Sequence, residues 1–202
     1  MLLFGKGAFF MFEFSTKKLA RAGVVAGLYV LLSLSFFTIS SGPVQMRVSE
    51  GLTLLPLLFP ETIPAVFIGC MLSNLITGCA FFDIVFGSII TLAAAILTYF
   101  TGKAIKKHAV KIAVGGIFPV VLNAVFLPVI WYFCYGELEY LYIIQVLILL
   151  AGQSAAVYVF GSVFYFALLR IKDKVAFLND ETQRENRNKE TENKETEEIK
   201  PN

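Results

Sequence analysis

Long apolar stretches constrain this chain more than any other feature. Four of them, at about residues 19–39, 84–102, 112–135 and 140–169, carry a single charged residue between them, Arg21. A helix needs about 20 apolar residues to cross the roughly 30 Å hydrocarbon layer of a bilayer. Of all residues, 57% are hydrophobic and only 16% are charged, which is unlike a soluble domain. The sequence therefore predicts an all-α membrane protein.

A further apolar stretch, residues 51–77, is interrupted by Pro56, Pro60, Glu61 and Pro64. Proline removes a backbone hydrogen bond from a continuous helix, and lipid offers no substitute partner. Three interpretations are open for this stretch: one broken span, two short spans, or a re-entrant hairpin that opens outward.

Positive charge decides the parity of the crossings, because cytoplasmic loops collect Lys and Arg. All cationic clusters lie on the cytoplasmic side only if residues 51–77 cross an even number of times. We therefore predict a six-helix transmembrane bundle in the cell membrane, with the N- and C-termini cytoplasmic. The clusters are Lys17, Lys18 and Arg21; Lys103, Lys106, Lys107 and Lys111; and Arg170, Lys172 and Lys174.

Three segments are expected along the chain. Residues 1–16 are rich in Phe but broken by Lys6 and Glu13, which favours an interfacial or cytosolic segment over a cleaved signal. The translation start, Met1 or Met11, stays open. Residues 17–172 form the membrane domain, and residues 173–202 are a charged, disordered cytosolic tail.

No motif for catalysis or ATP hydrolysis occurs. The sequence lacks GxxxxGK[ST], HExxH and GxSxG, its single histidine has no second histidine with which to share a metal, and its three cysteines match no metal spacing. We expect no enzyme activity, no cofactor and no metal. The net charge of +2 is too small to indicate nucleic-acid binding.

Polar residues near the outer surface form the candidate substrate site. The predicted topology places Arg47 and Glu50 before the second helix, Asn74 late in the third and Asp83 at the start of the fourth, so we expect them to converge. Farther along the chain, the residues added to the site are Gln145, Asn123 and Trp131. The alternatives are structural: Asp83 caps its helix, Glu50 pairs with Arg47, and the amides hold neighbouring helices together.

Small residues recur four apart on the first helix, as Ala22-x-x-x-Ala26 and Gly23-x-x-x-Gly27. Such a strip lets another helix approach closely, either within the same protein or from a partner.

Three segments resemble the QueT family: residues 45–64 (QMRVSEGLTLLPLLFPETIP), 67–74 (FIGCMLSN) and 82–88 (FDIVFGS). QueT proteins are substrate-binding S-components of energy-coupling factor (ECF) transporters, and the resemblance runs from about residue 15 to 172. It implies a bundle of the ECF S-component type, partnered by a transmembrane coupling subunit and two cytosolic ATPases. It also implies that Ala22-x-x-x-Ala26 faces the coupling subunit.

The substrate implied by the resemblance is a queuosine precursor, a 7-deazaguanine base. Glu50 would accept hydrogen bonds from the ring N–H and the exocyclic amine, and Arg47 would orient Glu50 or contact the carbonyl. Asp83 would balance an aminomethyl cation if the cargo carries one, and Trp131, Tyr135 or Phe82 would stack on the base. The loop at residues 40–50 would close over it. An S-component for another vitamin and a non-transporting scaffold remain the rival interpretations.

Overall fold

The computed structural model describes residues 16–37, 46–136, 138 and 140–171, which form six helices and no strand. Four of these helices, the first and the last three, are long and apolar enough to cross a membrane, as the sequence predicts. The expectations for residues 1–15, for the loop at 38–45 and for the tail lie outside the described residues. The helices are α1 (Thr16–Ser35), α2 (Val48–Leu57), α3 (Thr62–Ile76), α4 (Asp83–Ala104), α5 (His108–Tyr135) and α6 (Tyr142–Ile171). The chain divides into two units after Tyr165, and the packing described below concerns the first.

The proline-containing stretch forms two separate helices, α2 and α3, rather than one broken span. Pro56 stands in the last turn of α2 and Pro60 in the connecting turn. Pro64 falls in the first turn of α3, where a backbone N–H has no partner within the helix. The prolines therefore mark the boundaries of the two helices.

Helix α2 is a 3₁₀-helix over all ten of its residues, although 3₁₀-helices longer than about four residues are uncommon. Its rise of about 2.0 Å per residue makes it about 20 Å long, against about 15 Å for ten α-helical residues. All ten residues are buried, and α2 contacts each of the other five helices. It is the central element of the bundle.

Glycines allow the backbones around α2 to approach closely. A Cβ on Gly51 would lie 2.8 Å from the backbone nitrogen of Gly161 in α6, and a Cβ on Gly102 of α4 would lie 2.8 Å from the carbonyl oxygen of Leu57. Distances this short leave no room for a side chain. The close approach on two sides of α2 depends on these glycines.

The turn between α2 and α3 lies beside the beginning of α1. Arg21 forms an ion pair with Glu61, and its guanidinium carbon lies 4.1 Å from the centre of the Phe59 ring. Arg47 immediately precedes α2 at its other end. We call these two ends of the bundle the Arg21 end and the Arg47 end; α2 runs from the Arg47 end to the Arg21 end, and α3 returns.

Two helices contain π-helical turns. Helix α4 begins with one at Asp83–Gly87, and α6 contains another at Ala155–Phe160. Such turns shift the register of a helix and are frequent at functional sites. Here the first one begins at a buried aspartate and the second follows closely after the buried Gln153.

Candidate substrate site

Glu50 is a buried carboxylate with one bare oxygen. It is only 1% exposed. Its Oε1 accepts a hydrogen bond from the Tyr29 hydroxyl at 2.6 Å and a longer one from the Thr91 hydroxyl at 3.4 Å. Its Oε2 has no hydrogen-bond partner. Because an unsatisfied buried carboxylate oxygen costs free energy, Oε2 is a place where a bound donor would be favourable.

Asp83 forms a loose ion pair with Arg47. Nη2 of Arg47 lies 3.9 Å from Oδ2 of Asp83, and both side chains are largely buried. The other oxygen, Oδ1, has no hydrogen-bond partner, and no side chain caps the start of the helix at this point, so the capping alternative finds no support. Arg47 was expected to orient Glu50. Its ion pair is instead with Asp83, although Glu50 lies within its electrostatic range.

Asn74, on α3, contacts the backbone of Asp83. Its Nδ2 donates to the backbone oxygen of Asp83 at 3.5 Å and to the Cys70 sulfur at 3.7 Å, and both bonds are long. Gly87 packs closely against both side chains, since a Cβ there would lie 3.1 Å from Oδ1 of Asp83 and 3.5 Å from Nδ2 of Asn74.

Amide side chains on α5 and α6 are also buried without full hydrogen bonding. Asn123 interacts with the Glu50 side chain, yet its Nδ2 has no partner that meets ordinary hydrogen-bond geometry. Gln145 has an unpartnered Oε1, and Gln153 has neither amide atom bonded. The structure thus brings five predicted residues together. We call this polar cluster, with its hydrogen-bonding neighbours, the Arg47 cluster: Tyr29, Arg47, Glu50, Asn74, Asp83, Thr91 and Asn123.

The aromatic residues proposed for stacking lie elsewhere or at the periphery. Trp131 packs against an apolar cluster that includes Leu127 and Leu149. Phe82 is half exposed and stacks on Phe86, with ring centres 6.1 Å apart. Tyr135 is largely exposed and lies within electrostatic range of Asp83. None of the three forms a wall of the cavity described next.

A cavity opens beside the Arg47 cluster. Its empty volume is about 380 Å³, counting space that is open to solvent. Glu50 and Asp83 lie directly behind its wall, because Tyr29 bonds the first and Arg47 and Asn74 contact the second. The lining residues are Tyr29, Ser33, Phe37, Arg47, Ser49, Ser73, Asn74, Thr77 and Cys79.

Tyr29 is a site residue that sequence reasoning missed. It is 2% exposed, it lines the cavity and it holds Glu50. The available signal was a hydroxyl-bearing aromatic residue in the middle of an otherwise mostly aliphatic helix. That signal is weak, because tyrosine is common in membrane helices near the interface.

The small-residue strip of α1 has two sides. Ala26 faces α3, since a Cβ on Gly69 would lie 3.1 Å from the Ala26 carbonyl oxygen, and Ala22 is only partly exposed. Gly23 and Gly27 are exposed, and a Cβ at either would meet no atom within 4 Å. The glycine side of the strip is therefore open.

These features define a class of protein. The described residues form a multi-pass helical membrane protein with a cavity at one end, and polar groups with incomplete hydrogen bonding are buried behind it. Such an arrangement is typical of a membrane protein that binds a small molecule. The sequence profile described as the QueT transporter family matches residues 19–170. The chain belongs to the QueT transporter family, as its resemblance in three segments indicated.

One relative gives the comparison more detail. A queuosine precursor transporter QueT of Lactococcus lactis subsp. cremoris (strain MG1363) is 38% identical over 79 residues, which cover 38% of this chain and 46% of that protein. The match thus spans less than half the length of the relative. No solved structure matches the chain significantly.

Proposed function

We propose that this protein is the substrate-capture subunit, or S-component, of an ECF-type importer, and that it binds a queuosine precursor, a 7-deazaguanine base, from outside the cell. The observation that carries the proposal is the Arg47 cluster, in which Glu50 and Asp83 each have an oxygen without a hydrogen-bond partner behind the cavity. Membership of the QueT transporter family and the name of the Lactococcus relative support the class of substrate.

The proposed topology has six crossings with both termini in the cytoplasm. Support comes from the turn between α2 and α3, where Glu61 pairs with Arg21 near the start of α1. Because α2 runs from the Arg47 end to this turn and α3 returns, the α2–α3 pair traverses the bundle twice. The Arg47 end then faces outward, which agrees with the distribution of Lys and Arg along the sequence.

Recognition of the base would centre on Glu50. A carboxylate accepts two parallel hydrogen bonds from a ring N–H and an adjacent exocyclic amine, and Oε2 is free to take part. Asn74, Asn123 and Gln145 supply amide groups for the remaining polar edge. Tyr29 replaces Trp131 as the better candidate for the stacking face, because its ring lines the cavity.

Energy for uptake would come from partners, a coupling subunit and two cytosolic ATPases, since the chain lacks a Walker motif. The open Gly23 and Gly27 side of α1 would accept the coupling subunit. Bulky replacements, Gly23→Leu with Gly27→Leu, should abolish co-purification with these partners and retain ligand binding. The control is Val163→Leu, at an exposed position of α6. An intact complex in the double variant would exclude this docking surface.

The direct test is ligand binding by the purified protein in detergent. Calorimetry should show tight binding of a 7-deazaguanine precursor and weak binding of riboflavin, thiamine or biotin. Equal or reversed preference would remove the substrate claim and favour an S-component for another vitamin. Binding of none of them, with no ATPase partner in a pull-down, would favour the scaffold interpretation.

A further inference from the structure

We propose that Thr98, a residue outside the Arg47 cluster, is a positioning residue of the substrate site. By bonding α5 at the turn before Pro119, it fixes the direction in which the rest of that helix carries Asn123 towards Glu50. The inference goes beyond the proposed function, and it rests on that function for the ligand with which it is tested.

Helix α5 lacks one of its own backbone hydrogen bonds near the middle of its length. Pro119 stands inside the helix and has no backbone N–H, so it cannot bond the carbonyl oxygen of Gly115 one turn earlier. The proline ring also clashes with that carbonyl, which kinks a helix at this point. Gly115 is buried, and a buried acceptor without a donor costs free energy. The oxygen therefore needs a donor from another helix.

Thr98 of α4 supplies that donor. Its hydroxyl donates to the Gly115 carbonyl oxygen at 3.0 Å, and the side chain is fully buried. Hydroxyl side chains of neighbouring helices commonly bond the backbone groups that proline frees in membrane helices. Two residues earlier in α5, the Ala113 carbonyl oxygen accepts a hydrogen bond from the Tyr158 hydroxyl of α6 at 2.9 Å. The turn before the proline is thus held by both neighbouring helices.

The part of α5 beyond Pro119 leads to the substrate site. Asn123, one turn farther along, is 2% exposed and interacts with the Glu50 side chain. Its Nδ2 has no partner within ordinary hydrogen-bond geometry, so its distance from the carboxylate depends on small changes in the direction of α5. After another turn, Leu127 approaches Gly87, where a Cβ would lie 3.9 Å from Cδ2 of Leu127. This segment of α5 therefore lies beside the surroundings of both buried carboxylates.

The distance from the proline to the site makes the angle of α5 important. Pro119 and Asn123 are separated by about 6 Å along the helix axis, at 1.5 Å per residue. A change of about 5° in direction at the proline would therefore move residue 123 by about 0.5 Å, which is the tolerance of a well-formed binding site. The hydrogen bond from Thr98 restrains this angle, because it fixes the turn at which the helix bends.

The test measures the affinity for a 7-deazaguanine base by calorimetry on the purified full-length protein. Thr98→Val keeps the shape of the side chain but removes the donor to Gly115, so affinity should fall about fivefold. Thr98→Ser keeps the hydroxyl and should bind normally. The matched control is Thr101→Val, which removes a hydroxyl that bonds the Leu97 carbonyl of its own helix at 3.0 Å; it should also bind normally.

A double-mutant cycle separates positioning from a general loosening of the bundle. Pro119→Ala restores a backbone N–H to the Gly115 carbonyl, so the Thr98 hydroxyl is no longer needed there. This variant should lose affinity by itself, because α5 straightens and Asn123 moves. Adding Thr98→Val to Pro119→Ala should then change affinity by less than about twofold. The comparison stays decisive if Thr98→Val alone does not fold, which its thermal midpoint in detergent reports.

Three results would overturn the inference and leave the proposed function intact. They are an unchanged affinity in Thr98→Val, an equal loss in Thr101→Val, and a further fivefold loss when Thr98→Val is added to Pro119→Ala. Failure of the unaltered protein to bind the base would overturn the proposed function and this inference with it.

Discussion

The two ends of the bundle differ in how completely their charged side chains are paired. At the Arg21 end, Arg21 is paired with Glu61 and lies over the Phe59 ring. At the Arg47 end, two buried carboxylates lie near one guanidinium, which forms a loose ion pair with Asp83. Each carboxylate has one oxygen without a hydrogen-bond partner. The Arg21 end is satisfied by the protein itself, whereas the Arg47 end is left incomplete.

This difference indicates that stability and ligand binding depend on different residues. Bare buried acceptors lower the stability of a fold, so they persist where another molecule completes their hydrogen bonds. Close backbone contacts through Gly51 and Gly102 instead fix the position of α2 without regard to any ligand. Substitutions should accordingly fall into two groups, one that changes affinity and one that changes stability.

The largest effect is expected for Glu50→Gln. The amide keeps the shape of the side chain but loses the charge that accepts two hydrogen bonds from the base, so affinity for a 7-deazaguanine should fall about 100-fold. Stability should be unchanged or higher, because a buried charge is removed. Calorimetry and thermal unfolding in detergent measure the two effects. The matched control is Glu61→Gln, at the Arg21 end; equal affinity losses in both variants would remove the distinction between the ends.

Gly51→Ala should have the next largest effect, on stability. The added Cβ would lie 2.8 Å from the backbone nitrogen of Gly161, so α2 and α6 must move apart at a cost of about 2 kcal/mol. Gly23→Ala is the control, because a Cβ there meets no atom within 4 Å; it should raise stability by about 0.5–1 kcal/mol, the helix preference of Ala over Gly. Equal thermal midpoints for the two variants would show that the close contact is not important.

Tyr29→Phe should have a smaller effect, on affinity. The variant keeps the ring that lines the cavity but removes the 2.6 Å hydrogen bond to Oε1 of Glu50. Glu50 would then be less firmly oriented, and affinity should fall about fivefold. Tyr142→Phe also loses a hydrogen bond, to the Val125 carbonyl at 3.0 Å, and should bind normally. Unchanged affinity in Tyr29→Phe would remove Tyr29 from the site.

The four long helices were predictable because length and apolar composition alone decide whether a segment can cross a bilayer. The winding of α2 was not. An apolar sequence of ten residues fits an α-helix or a 3₁₀-helix, and the contacts that surround α2 involve Gly102 and Gly161, which are remote in sequence. The division into α2 and α3 fits two of the three open interpretations, two short spans and a re-entrant hairpin, because prolines mark a break without fixing the direction of the chain after it.

The charged residues of the candidate site were predictable as a group, because a charge inside a membrane segment is costly and conspicuous. Their pairing was not, since the sequence suggested Glu50 as the partner of Arg47, whereas the ion pair in the folded structure is with Asp83. Trp131 was expected in the site but packs against Leu127 and Leu149. Sequence position gives the depth of a residue along a helix but not the face on which it lies.

The smallest effect on affinity, and the sharpest test of the separation between the two ends, is expected for Arg21→Gln. The side chain of Arg21 is 37% exposed and that of Glu61 is 11% exposed, so water screens their ion pair only in part, and loss of the pair should lower stability by about 1 kcal/mol. The loss of stability should be smaller at high salt, because ions screen a partly exposed pair. Affinity for the ligand should not change at any salt concentration, since Arg21 pairs with Glu61 at the opposite end of α2 from Arg47. Denaturant titration and calorimetry on the same samples provide both quantities. A loss of affinity as large as that of Tyr29→Phe would mean that the Arg21 end helps to shape the site, and the two ends would then have to be treated as one coupled unit.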